Sequence, residues 1–61
     1  MPNLTTKELS AIEDQLSIEK TMVTKYQQYA MSCSDQQLKT KCEQIAAKHQ
    51  SHYTRLLNQL G

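Results

Sequence analysis

The sequence predicts an all-α protein, an antiparallel two-helix hairpin that dimerises into a four-helix bundle, and three observations carry that expectation. Apolar residues recur at alternating spacings of three and four along two long stretches, which is the signature of helices packed along their length. The 61 residues include one Gly, one Pro and neither Trp nor Phe, so strands and tight turns have few of their usual residues. Helix-start signals at Thr5 and Ser34 bracket two long periodic stretches with one short bend between them.

The first helix is expected over about residues 6–32. Thr5 can cap the amide of Glu8, the Glu8 side chain can reach back, and Leu4 can staple onto Leu9. From there Leu9, Ile12, Leu16, Glu19, Val23, Tyr26, Ala30 and Cys33 form a heptad seam in which Glu19 alone breaks the apolar rule.

The second helix is expected over about residues 35–60. Ser34 opens a second capping box with Gln37, and Asp35 places negative charge on the new helix's first turn. Its seam runs Leu38, Cys42, Ile45, His49, His52, Leu56 and Gln59, with Gly61 as a stop. Here the polar intruders are His49, His52 and the terminal Gln59.

A short bend makes adjacent helices antiparallel. With the reversal at Ser34, facing residues have numbers that sum to about 68, which sets Tyr26 against Cys42, Val23 against Ile45 and Glu19 against His49. Each helix also carries a second apolar edge, Ala11, Ile18, Met22 and Tyr29 on the first and Ala46, Tyr53, Leu57 and Leu60 on the second. That arc is wider than one partner helix covers, and a two-fold homodimer is the economical way to bury it.

The net charge of +1, with both signs interspersed, supplies no field that would draw nucleic acid or an anionic membrane. No apolar run approaches the roughly 18 residues of a membrane span. Met1-Pro2-Asn3-Leu4 lacks the charged start and apolar core of a secretion signal, so a soluble protein made in the cytoplasm is expected. Cys33 and Cys42 are too few for a thiolate zinc site. Cys42 lies on the order of 12 Å beyond the bend at 1.5 Å per residue, too far for a disulfide, so both are expected as buried reduced thiols.

The constellation that can carry chemistry is Glu19, His49 and His52. The two histidines are three apart and share a helix face, and Glu19 sits at their level on the other arm. Imidazole nitrogen and carboxylate oxygen suit Zn²⁺, Fe²⁺, Mn²⁺ or Ni²⁺. The competing reading is a polar layer in which Glu19 and His49 satisfy one another and fix the register. Tyr26, Tyr29 and Tyr53 read as packing residues with hydrogen-bonded hydroxyls. Lys41, Lys48 and Arg55 read as a solvated flank. A nucleophilic role for Ser51 lacks an orienting acid and an oxyanion loop, and one glycine cannot build a phosphate cradle.

Across nearly the whole chain, Ile12-Glu13-Asp14-Gln15-Leu16-Ser17-Ile18-Glu19-Lys20, Lys25-Tyr26, Asp35 with Leu38-Lys39, and His49-Gln50-Ser51-His52 before Leu56-Leu57 resemble the coat F family of bacterial spore coat proteins and their ferritin-like relatives. The resemblance implies a ferritin-like half-bundle and a structural or assembly role with other coat proteins in the spore coat. Ferritin-like di-iron proteins pair a Glu on one helix with Glu-x-x-His on the next; Glu19 and His52 match the first Glu and the His. His49 stands where the bridging second Glu belongs, which argues against ferroxidase or oxidase chemistry. Two alternatives stay open beside the assembly role: metal storage or minor redox use through Glu19, His49 and His52, and a small helical regulator that docks on a partner.

Overall fold

The first helix begins with the reciprocal pair of hydrogen bonds expected at its start. In the computed structural model, which describes residues 4–61, Thr5 has extended backbone and its hydroxyl accepts from the Glu8 amide at 3.1 Å. Glu8 Oε1 accepts from the Thr5 amide at 2.9 Å. These bonds satisfy orphan donors of the first turn, and the Thr5 amide, then its hydroxyl, hold the Glu8 carboxyl below its ordinary value. Helix α1 runs Thr6–Ser32. Met1, Pro2 and Asn3, read above for a secretion signal, lie outside the described residues.

The bend falls at Cys33, Ser34 and Asp35, centred where expected, but its capping differs. Asp35, not Ser34, is the N-cap of helix α2 (Gln36–Asn58), and its carboxylate accepts from the Leu38 amide at 3.0 Å. With the cap moved by one residue, Gln37 no longer occupies the position from which a capping box closes. At the far end Gly61 makes no left-handed stop, since no described residue has a positive φ. The helix instead tightens through i→i−3 bonds from Gln59, Leu60 and Gly61 to Leu56, Leu57 and Asn58.

The two helices pack side by side as a hairpin 46 × 15 × 11 Å across its Cα atoms. Helix α1 keeps its expected seam, with Glu19, Val23 and Ala30 buried and Ile12, Leu16 and Tyr26 half-buried; Leu9, near its free end, is exposed. Helix α2 keeps the middle of its own, with Cys42, Ile45, His49, His52 and Leu56 half-buried, and loses both ends. Leu38 and Gln59 lie exposed, while Ala46, assigned to the second edge, is buried and Tyr53 is half-buried. At 100° per residue this is a rotation of about 40° from the Leu38–Ile45 line toward Ala46 and Tyr53. Alanine lets the backbones approach, and tyrosine removes more surface from water than a leucine next to the bend. Cys33 and Cys42 are free thiols, as expected, though only half-buried.

The two apolar edges lie apart. One side of the hairpin is a groove with an apolar floor of Ala30, Met31, Ala46 and Ala47, rimmed by Gln27, Lys39, Glu43 and Gln50. On the other, Gln15, Glu19, His52, Arg55 and Leu56 line a groove beside Ala11, Ile18, Met22 and Tyr29, which fall within about 40° of one another on α1. The second edges therefore flank different faces rather than one continuous arc. No helix among the described residues is long and apolar enough to cross a membrane.

Candidate metal site

Glu19 is the one buried charged side chain among the described residues, at 6% exposure. Burying a carboxylate without partners is costly, and both oxygens are engaged. Oε1 lies 2.5 Å from His49 Nδ1, and Oε2 accepts from Gln15 Nε2 at 2.9 Å. His52 Nδ1 stands 3.7 Å from the same Oε1. The His49 hydrogen bond, then that from Gln15, holds the Glu19 carboxyl below its usual range, against the opposing push of burial. No buried side-chain nitrogen or oxygen among the described residues lacks a partner.

The facing rule places this cluster because 19 and 49 sum to 68, so the reversal near Ser34 brings the two residues to one level. Three apart on α2, His49 and His52 meet with ring centroids 6.0 Å apart at 89°. Tyr26 lies nearly parallel to His49, centroids 6.4 Å apart and planes at 14°, and Tyr29 meets Tyr26 edge-on at 5.6 Å. Lys25 Nζ sits over both tyrosine rings, 5.9 and 5.8 Å from their centroids. Tyr26 thus runs alongside the His49 ring, whose Nδ1 is held by Glu19, and His52 remains the most exposed of the three.

All three expected ligands converge: each offers one donor atom, and these lie within 4.8 Å of one another. Donors bonded to a transition metal at about 2.0–2.2 Å lie roughly 3–4 Å apart, so ligation needs the widest separation to close by roughly 1–2 Å, within reach of a rotamer change at His52. Sequence reasoning missed Gln15. Its signal was present, since a residue four before Glu19 on the same helix is a surface neighbour. It also treated Tyr26 only as packing and Arg55 only as flank, whereas Tyr26 backs His49 and Arg55 borders the mouth of the cluster.

The fold and cluster define the class of molecule: a helical hairpin with an interhelical Glu-His-His layer. No family profile, curated protein or solved structure matches the chain.

Proposed function

We propose that this chain binds one divalent transition-metal ion per hairpin through Glu19, His49 and His52, and that it works as a two-fold dimer, a four-helix bundle of ferritin-like form. The observation that carries the metal reading is the meeting of two half-buried imidazoles and one buried carboxylate from two helices at a single point. Two imidazoles and a carboxylate leave further coordination positions to water, as in open zinc or iron(II) sites. The neighbours support ligation: Gln15 orients the carboxylate through Oε2, leaving Oε1 toward the histidines, and Tyr26 holds the His49 ring. In the metal-free hairpin the His49–Glu19 hydrogen bond keeps the charge satisfied; metal takes its place on binding. Protonated imidazole cannot ligate, so affinity falls on acidification.

The exposed apolar edge supports self-association. The resemblance to coat F proteins supports a role for the bundle in a protein assembly of the spore-coat kind, with metal as a structural or stored component. The test is a titration of purified protein with Zn²⁺, Mn²⁺, Ni²⁺ and, anaerobically, Fe²⁺, read by calorimetry and thermal unfolding. At least one metal is expected to bind with one equivalent per chain and raise the unfolding temperature, and His49→Ala is expected to weaken it about 10- to 100-fold or more. A flat titration with every metal removes the reading.

A further inference from the structure

We infer that a second copy of this chain docks on the face formed by Ala11, Ile18, Met22 and Tyr29, and so covers the open side of the Glu19–His49–His52 cluster. The half concerning metal rests on the metal reading above; the docking half stands without it.

The area of the hairpin argues for this occupant. The chain exposes 4820 Å², whereas a folded monomer of this mass exposes about 4,000 Å². The surplus, roughly 800 Å², is about what each partner contributes to a standard stable interface. It arises because, among the described apolar residues, only Val23, Ala30 and Ala46 are buried, so one pair of helices leaves each with an uncovered flank. Closed two-fold pairing removes the same flank on both copies at once.

The two faces are not equal candidates. The groove on the Gln27 side has a floor of Ala30, Ala46 and Ala47 with Met31 as its one large apolar member, and it is rimmed by the charged Lys39 and Glu43 and by Gln27 and Gln50. The opposite face presents Ile18 at 53% and Tyr29 at 49% exposure, with Met22 half-buried between them. From Ala11 to Tyr29 the stripe extends on the order of 27 Å at 1.5 Å per residue, over half the hairpin's 46 Å length. Gln15 lies within this stripe and also lines the mouth of the Glu19 cluster with His52 and Arg55. A copy seated on the stripe therefore excludes water from that mouth, which strengthens every electrostatic contact inside it. Pairing and metal binding then favour each other reciprocally.

Sedimentation equilibrium in EDTA and then with Zn²⁺ tests the docking, using wild type, Ile18→Lys and, as a control on the other face, Leu57→Lys. Helical circular dichroism confirms that each variant folds, and Tyr29→Lys replaces Ile18→Lys should the latter unfold. Wild type and Leu57→Lys are expected at twice the 7.0 kDa chain mass, with Ile18→Lys shifted to monomer. Although Ile18 is no metal donor, zinc affinity is expected to fall about tenfold in Ile18→Lys and to stay unchanged in Leu57→Lys. A wild type that is monomeric in both conditions, or a dimer broken by Leu57→Lys and not by Ile18→Lys, overturns the docking face. A monomeric Ile18→Lys with wild-type zinc affinity overturns the covering of the site. Should the wild-type dimer bind none of Zn²⁺, Mn²⁺, Ni²⁺ or Fe²⁺, the metal reading and the covering fall together, while the docking face is still decided by the two lysine variants; where a metal other than zinc binds, that metal replaces zinc in the comparison.

Discussion

Two layers of the hairpin do the same structural job by opposite means. On the bend side of mid-height, Val23, Ala30 and Ala46 are buried with small apolar side chains; one turn before Val23, Glu19 is equally buried and is held by His49 and Gln15. The apolar layer gains from removing carbon from water and from close approach of the backbones. The polar layer has its desolvation offset by hydrogen bonds to a charged group, which are the stronger kind. The difference teaches that the apolar layer is replaceable in kind only by other small hydrophobes, whereas the polar layer is open to a ligand that outcompetes its internal bonds.

The comparison breaks most violently at Ala46. Ala46→Asp places an unpaired carboxylate in the apolar layer at a cost of about 3 kcal/mol or more, comparable with the whole stability of a domain this small. Loss of helical circular dichroism at 37 °C is the expected outcome, while a cooperative helical fold in that variant would show that the layer is wet. A smaller effect separates the layers by pH. Because the Glu19 carboxyl titrates below its ordinary value in the folded chain, its contribution is present above the unfolded value, near 4.5, and is lost as pH falls through the lower folded value. Urea midpoints between pH 6 and pH 3 should therefore fall more steeply for wild type than for Glu19→Gln; parallel curves would mean that the carboxylate does not feel its partners. The smallest change in stability is expected from replacing the polar layer whole. Glu19→Leu with His49→Leu removes both charge partners for apolar groups of similar size, which is often neutral or stabilising. An unfolding temperature at or above that of wild type, with metal binding abolished, would assign the layer to ligand rather than to fold.

Much of this was legible in residues. The box of Thr5 and Glu8, the reversal at Ser34 and the meeting of Glu19 with His49 follow from caps and from counting outward from one bend. What was not legible turns on choices that spacing leaves degenerate. Ser34 and Asp35 can both cap, and Asp35 takes the role with its carboxylate on the Leu38 amide. Leu38 fits a heptad seam as well as Ala46 does, but rotating α2 toward Ala46 and Tyr53 brings the helices closer and leaves Leu38 58% exposed. The two apolar edges also lie apart, which a wheel drawn for each helix alone does not register. Gln15 was overlooked because polar residues at surface spacings are common, and only the buried carboxylate four residues on gives this one a task.

Tyr26 lies almost parallel to His49, and the chain has three tyrosines and no tryptophan. Its native fluorescence is therefore purely phenolic, with one emitter beside the imidazole proposed as a ligand. The molecule carries its own optical gauge: a quenching ion such as Cu²⁺ or Ni²⁺ arriving at that ring dims the emission of an unlabelled, unmodified chain.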